Sequence, residues 1–325
     1  MPPVEQANLD TIVTVIGGSG FLGRHVVRAL AKRGYRIRAA VRRPELAGHL
    51  QPLGRVGQIH AVQANLRYPA SIAAAARDAG VVVNLVGILF ERGRQRFEAV
   101  QAQGAQAAAQ AAVAEGARFV HVSAIGADEN SPSAYGRSKA EGEKRVLATA
   151  PDATIFRPSI MFGPEDDFFN RFGSLARFSP ALPLVGGGAT RFQPVYVGDV
   201  AEAVALAVDG ATKPGATYEL GGPQIVTFKE LLEYVLATVE RKRLLVPVPF
   251  WAAKAKATFL QFLPKPPLTP DQVELLKADN VVSEAAIREG RTLEGLGIAP
   301  HTMAAIVPSY LWRFRKTGQF QGRVA

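Results

Sequence analysis

The stretch at residues 11–23, TIVTVIGGSGFLG, decides the fold. Residues 11–16 form an apolar, β-branched run, which predicts a strand buried on both faces. The run ends in Gly17-Gly18-Ser19-Gly20. The apolar spacing then changes, and Phe21, Leu22, Val26, Val27 and Leu30 share one face of a helix over about 20–33. Gly17, Gly20 and Gly23 stand three apart, and Gly18, Gly20 and Gly23 also fit the G-x-G-x-x-G spacing. Each demand of such a turn points to glycine. The tight turn needs a positive φ, the backbone must come close to a pyrophosphate, and the helix must pack against the strand. The helix start then offers free amides and a positive dipole end to phosphates.

Further strands are expected at 35–41, 58–63, 80–86, 118–123 and 153–157, and helices at 97–115 and 135–148. Alternating strands and helices predict an α/β fold, a Rossmann-type doubly wound parallel sheet. After Arg157 the texture changes. Pro158, Pro164, Pro180, Pro183 and Gly186-Gly187-Gly188 break the rhythm. The expectation is a nucleotide domain over 1–158, with 192–210 returning to it, and a smaller irregular domain over 159–325.

Composition excludes other classes. The chain has 325 residues, 48% hydrophobic and 20% charged, with 31 Gly and 22 Pro, which rules out a disordered, collagen-like or coiled-coil chain. No cysteine is present, so disulfides, Cys-based zinc sites, iron–sulfur clusters and a Cys nucleophile are excluded. The five histidines show no metal spacing, and no metal site is assigned. The net charge of +10 attracts anions, but the basic residues are spread along the chain and no nucleic-acid motif appears. The first ten residues do not read as a signal peptide, and they leave no room for a transit peptide before the first strand, so a bacterial or already processed chain is expected. The longest near-apolar run, at 81–90, has about half the length that spans a bilayer. A soluble or peripheral protein is expected.

The second strand ends Val41-Arg42-Arg43, with no acidic residue before Glu45. An acidic residue there would bond the ribose hydroxyls of NAD. Arg38, Arg42 and Arg43 instead suit a 2′-phosphate, which predicts NADP(H) over NAD(H). Further on, Tyr135 and Lys139 stand at i and i+4, on one helix face, with Ser123 at the end of the preceding strand. A lysine cation favours the phenolate of a neighbouring tyrosine, and a serine hydroxyl can hold a carbonyl oxygen. Ser123, Tyr135 and Lys139 are therefore the candidate catalytic set for hydride transfer to or from a carbonyl.

With these pieces in order, the chain resembles the extended short-chain dehydrogenase/reductase superfamily. The resemblance is carried by Gly17-x-x-Gly20-x-x-Gly23, Asn65, Asn84-Leu85-Val86-Gly87, Ser123, Tyr135-x-x-x-Lys139, Arg157-Pro158-Ser159, Phe162-Gly163-Pro164 and Val197-Gly198-Asp199. It narrows through VNLVGILFERGRQRFEAV, RPSIMFGPEDDFFNRF, RFQPVYVGDVAEAV, LTPDQVELLKADNVV and SYLWRFRKTGQF to an atypical branch. That branch holds the NADPH-binding accessory subunit of respiratory complex I and its bacterial relatives. The resemblance implies that Gly17, Ser19, Gly20, Phe21, Leu22 and Gly23 cradle the pyrophosphate and that Arg42 and Arg43 take the 2′-phosphate. It implies Asn65 and Leu66 by the adenine, Val86 and Gly87 at the ribose, and Ser123, Tyr135, Lys139 and Pro158 around the nicotinamide. Lys139 also has the non-catalytic task of bonding the nicotinamide ribose. The partners implied are complex I subunits or a membrane surface, with the protein peripheral on the cytoplasmic (or matrix) face of the membrane. Two alternatives stand beside an accessory subunit of NADH:ubiquinone oxidoreductase. One is a free NADP-dependent reductase or epimerase using Tyr135. The other is a peripheral factor in ubiquinone biosynthesis.

Four other features have simpler readings. Asp199 is expected to cap the helix that follows it. Glu165, Asp166 and Asp167 read as a solvated loop. At 250–263, Trp251, Ala255, Phe259 and Phe262 recur at helical spacing between proline-rich flanks, which suits either a surface helix for a membrane or partner or the core of the second domain. The tail at 310–323, with Arg313, Arg315, Lys316 and Arg323, reads as a dock for anionic lipid or an acidic subunit.

Overall fold

The structure, a computed structural model, describes residues 8–264 and 266–317. The first ten residues fall largely outside it, as do Arg323 and the end of the tail. The fold starts from the chain's most apolar runs. These are β1 (Ile12–Ile16), β2 (Arg36–Val41), β3 (Ile59–Gln63), β4 (Val81–Asn84), β5 (Arg118–Val122) and β6 (Thr154–Pro158). Between them lie α1 (Phe21–Lys32), α2 (Pro69–Ala76), α3 (Gln103–Ala114) and α4 (Ala134–Thr149). Downstream, α5 (Val197–Asp209), β7 (Thr217–Leu220) and the short α6 (Glu284–Arg288) follow. The seven strands form one parallel sheet in the order β7-β6-β5-β4-β1-β2-β3. The order reverses between β1 and β4, which is where an open α/β sheet binds ligands, at the carboxyl ends of its strands.

The chain divides into two units. The first comprises the residues up to Pro158 with Gly198–Leu220 and Glu284–Ile298. Its strands are buried on both faces, with Val13, Val15, Val81, Val82 and Val83 fully inaccessible. One side of the core is alanine-rich: Ala105, Ala108, Ala109 and Ala112 of α3 meet Ile72 and Ala76 of α2 and Val146 of α4. The small side chains bring the helices close. Helix α2 has no strong apolar period to mark it in the sequence. Pro69 at its first turn is its one signal. Its carbonyls are closed from the sheet, by Thr14 Oγ1 on the Ala75 oxygen at 2.8 Å and by Arg38 on the Ala75 and Arg77 oxygens at 2.7 and 2.6 Å.

The second unit holds Ser159–Val197, Gly221–Ser283 and the described residues from Ala299 on. Its sheets are two-stranded pairs only: Ala181–Val185 with Leu244–Val248, Arg191–Phe192 with Val226–Thr227, and Met161–Phe162 with Val195–Tyr196. Its core is aromatic, built from Phe162, Phe169, Phe192, Phe228, Leu231, Leu232, Tyr310, Leu311 and Phe314.

Four expectations need correction. The start of the segment 192–210, read as a strand over 192–197 by its apolar residues, is two short pieces, because Pro194 between them has no amide to give a ladder. Both pieces pair within the second unit, so the segment that joins the first unit begins at Gly198 and not at 192. Asp199 lies inside the first turn of α5 rather than ahead of it. Asp166 is 3% exposed and not solvated. Its carboxylate accepts from the amides of Gly163, Phe169 and Asn170 at 3.2, 2.6 and 3.2 Å and from Tyr310 Oη at 2.5 Å, which holds the start of helix Phe168–Phe178. The tail also differs from its reading. Tyr310 and Phe314 are buried, Arg315 donates to the Thr238 oxygen at 3.0 Å and pairs with Glu240, and Arg313 binds Asn170.

Candidate functional site

The site lies in the first unit and begins where β1 ends. Gly17 has φ +88°, a region a side chain would strain, and its amide donates to the Ala40 oxygen at 2.9 Å. The chain turns there, and Gly20 caps α1 with no side-chain hydrogen bond and no acidic residue in the first turn. The first amides of α1 are thus left for an incoming anion. Gly23 answers a different need. A Cβ on it would lie 2.2 Å from the Gly17 oxygen and 2.7 Å from the Gly18 carbonyl carbon, so only glycine lets the helix sit on the turn. Leu22 is buried beneath it, while Ser19 and Phe21 are half-buried.

At the end of β2, Arg42 and Arg43 are exposed, and their side chains make no hydrogen bond or ion pair among the described residues. Arg38 is not available for a ligand, because it is held by the end of α2. After β3, Asn65 forms a turn on itself. Its Oδ1 accepts from the Arg67 amide at 3.1 Å, and its own amide donates to Ser71 Oγ at 3.0 Å. Leu66 is buried beside it, and Arg67 stacks on the exposed Tyr68 ring at 5.6 Å.

The end of β4 is shaped by one buried amide. Asn84 Oδ1 accepts from the Val86 amide at 3.2 Å, and Nδ2 is left to donate to His121 Nδ1 at 3.2 Å. The ladder stops there, short of the expected residue 86, and Val86 and Gly87 open outward. Val86 lies against Gly17. His121 is kept neutral, because burial pushes its pKa down to about 3 and the Lys139 cation acts in the same direction. With Nδ1 accepting, Nε2 carries the proton, and it has no partner.

Ser123 follows β5, and its backbone amide donates to the Phe156 oxygen at 2.7 Å. Its hydroxyl is buried without a partner. Helix α4 is capped by Ser133, whose side chain accepts from the Gly136 amide. It carries Tyr135 and Lys139 one turn apart, with Lys139 Nζ 6.0 Å from the Tyr135 ring centre. Phe97 packs edge-on against that ring at 6.0 Å. Lys139 is 4% exposed, and Nζ donates to the Val122 oxygen, next to Ser123, at 3.3 Å. The carboxylate one turn on, Glu143, is taken by Arg157 at 2.6–3.2 Å. Burial therefore outweighs Glu143 and lowers the Lys139 pKa to about 8. Pro158, buried at the end of β6, accepts from the Ile125 amide at 3.0 Å.

Gln101 was missed in the sequence. It sits in a π-helical turn, Glu98–Ala102, that precedes α3 where a plain helix was expected. Its Nε2 donates to Ser138 Oγ at 2.9 Å, and its Oε1 is buried with no partner. A Cβ on Gly87 would lie 3.2 Å from Lys139 Nζ and 3.6 Å from Gln101 Oε1, so an orphan acceptor and a desolvated ammonium flank one point. No motif marks this glutamine within an Ala/Gln-biased helix.

A nicotinamide dinucleotide fits these residues. The uncapped helix start and the free arginines suit phosphates. The unpartnered Ser123 Oγ and Gln101 Oε1, together with the buried Lys139 ammonium, suit the hydroxyls and carbonyl of the other end. Among the described residues, no three His, Asp or Glu side chains gather as a metal site, and no helix is long and apolar enough to cross a membrane.

Residues 13–221 match the family model described as the NAD dependent epimerase/dehydratase family. The chain is 37% identical over 320 residues to the Arabidopsis thaliana protein called NADH dehydrogenase (ubiquinone) 1 alpha subcomplex subunit 9, mitochondrial, covering 94% of this chain and 79% of that protein. It is 39% identical over 190 residues to a ceramide reductase of Caulobacter vibrioides, covering 58% of each. Among solved structures, the Escherichia coli NADPH-dependent quinone oxidoreductase QOR2 complexed with NADPH shares the fold, with a TM-score of 0.70 at 21% identity over 92% of this chain and 99% of that one. The chain belongs to the NAD dependent epimerase/dehydratase family, on the branch that holds the subunit 9 proteins of mitochondrial NADH dehydrogenase.

Proposed function

We propose that this protein is an accessory subunit of NADH:ubiquinone oxidoreductase that holds NADP(H), placed peripherally on the inner face of the membrane. The observation that carries this reading is the extent of the match to a subunit 9, 94% of this chain, second unit included. A likeness confined to the first unit would support dinucleotide binding alone. Gly17, Ser19, Gly20, Phe21, Leu22 and Gly23 would receive the pyrophosphate, and Arg42 and Arg43 the 2′-phosphate. Asn65 and Leu66 would border the adenine, Val86 and Gly87 the ribose. Lys139 would donate to the nicotinamide ribose hydroxyls, with Pro158 and Ser123 at the ring. The nicotinamide supplies a hydride donor or acceptor when bound.

In this reading the cofactor is structural, and Tyr135 and Lys139 clamp it. In detergent-solubilised membranes, the protein is expected to migrate on a native gel with the band that stains for NADH dehydrogenase activity. Migration alone at monomer or dimer size overturns the assembly. The cofactor assignment is tested separately. Tight binding of NADPH over NADH is expected, and Arg42→Ala with Arg43→Ala should weaken NADPH by roughly ten- to a hundredfold while leaving NADH unchanged. Equal affinities in the unaltered protein overturn NADP(H) as the cofactor.

A second reading has its own observation. Ser123 Oγ is buried without a partner beside the carbonyl that Lys139 binds, the place for a substrate carbonyl oxygen in a free reductase. Tyr135 Oη would then give that oxygen a proton. NADPH turnover abolished by Tyr135→Phe favours this reading. It would keep the cofactor residues and drop the assembly.

A further inference from the structure

We propose that the segment 241–264 of the second unit is a docking surface for the headgroup region of an anionic lipid bilayer. Sixteen large apolar side chains are exposed among the described residues, and six of them fall between residues 244 and 263. They are Leu244, Val246, Trp251, Phe259, Phe262 and Leu263, with Trp251 at 76%, Phe259 at 79% and Phe262 at 82% exposure. Values this high mean that no described residue covers these rings. Soluble surfaces tolerate single apolar residues, but aromatics grouped on one short stretch mark an interaction site.

The local structure makes the exposure a fixed property. Helix Phe250–Leu260 is held from below by Ala253 and Ala257, both buried, which pack with Val185 and Val273. Phe250 at its first turn faces inward onto Gly186, where a Cβ would meet the ring at 2.2 Å. With the alanine stripe inside, Trp251, Ala255 and Phe259 at i, i+4 and i+8 must face out, and Phe262 follows in the next turn. The sequence pattern left this stripe open to a core reading. The structure buries the small residues and exposes the large ones, the reverse of a core helix.

The charges select the occupant. From Arg241 to Pro264 there is no Asp or Glu, while Arg241, Lys242, Arg243, Lys254 and Lys256 are basic. Lys254 is paired with Glu274 at 2.6 Å, and Arg241 and Arg243 donate to the Phe314 and Ala176 oxygens at 2.8 Å. Lys242 and Lys256 are exposed with no side-chain partner among the described residues. Protruding Trp and Phe side chains flanked by free lysines suit the bilayer interface. The rings enter between headgroups, and the cations meet anionic lipid. This surface serves a subunit or a free enzyme alike, so it does not depend on the assembly proposed above.

Vesicle flotation of the full chain tests the proposal, using phosphatidylcholine vesicles with and without about one-third phosphatidylglycerol. The protein is expected to float with the anionic vesicles and much less with the neutral ones, and high salt should weaken the association. Trp251→Ser with Phe259→Ser, and separately Lys242→Glu with Lys256→Glu, should each lower partitioning by roughly tenfold or more. Unchanged thermal unfolding and NADPH affinity in these variants would show that the fold is intact. A protein that stays at the bottom with anionic vesicles at low salt overturns the proposal. So do variants that float as well as the unaltered chain, and so does equal binding to neutral vesicles.

Discussion

Lys139 shows how a residue proposed to bind a cofactor can cost stability. An ammonium buried at 4% exposure, with a backbone carbonyl as its one hydrogen-bond acceptor among the described residues, is disfavoured in the folded chain. Its pKa falls to about 8 from the ordinary 10.5. The sign follows from linkage. Below about pH 8 the lysine is charged folded and unfolded, and the folded state bears the whole desolvation penalty. Between about 8 and 10.5 the folded lysine loses its proton first, and the penalty is relieved. Lys139→Met should therefore be more stable than the unaltered protein by about 1–3 kcal/mol at neutral pH without cofactor, and the difference should shrink as pH rises through that window. The same variant should bind NADPH more weakly. Chemical denaturation at pH 7 and pH 10 reads the first effect and titration calorimetry the second. A variant less stable than the parent at pH 7 would show that Lys139 is a structural residue. The orphan oxygens of Ser123 and Gln101 have the same character, since each forgoes a hydrogen bond that a ligand can supply.

At the scale of elements, the site depends on how closely two helices meet. The π-helical turn Glu98–Ala102 places Gln101 beside Lys139, and α4 must lie directly on that turn. Gly142 makes this possible. A Cβ there would come within 2.2 Å of the Gln101 backbone oxygen, and backbone gives way less easily than a side-chain tip. Gly142→Ala is expected to destabilise the protein by about 3 kcal/mol or more and to weaken NADPH binding by displacing Gln101. Urea denaturation followed by circular dichroism measures the first, and an alanine variant as stable as the parent would disprove the close contact. Glycine is a poor helix former, and α4 carries two, Gly136 and Gly142. The local preference is overridden because the packing leaves no volume for a methyl group.

At the scale of the whole molecule, the two units differ in how they are stabilised. The first is one continuous parallel sheet, and its strands are hydrophobic enough to be read singly. The second has only two-stranded pairs and draws its stability from a cluster of aromatic rings, among them Phe168, Phe169, Phe172 and Phe228 at centroid distances of 5.0–6.2 Å. Its rings come from segments spread between Phe162 and Phe314, and no short window of sequence holds enough of them to announce a core. The exclusion of acidic residues from 241–264 is visible in the sequence, but its meaning depends on which side of the helix the protein covers.

Much of the fold was therefore legible in the sequence, for a physical reason. A parallel strand buried on both faces must be a near-continuous apolar run, and a turn that receives phosphates must be glycine, so local chemistry alone determined β1 to β6, α1 and the loop from Gly17 to Gly23. The order of Ser123, Tyr135 and Lys139 after that loop could be read in the same way. The tertiary structure alone decided what depends on neighbours distant in sequence. It turned Arg38 toward α2 and left Arg42 and Arg43 free. It buried Asp166 under Tyr310, made Gln101 an orphan acceptor beside Lys139, and faced Trp251, Phe259 and Phe262 outward. Burial and hydrogen-bond partnership are properties of packed surroundings, and a side chain's surroundings are set by the whole fold rather than by its place in the chain.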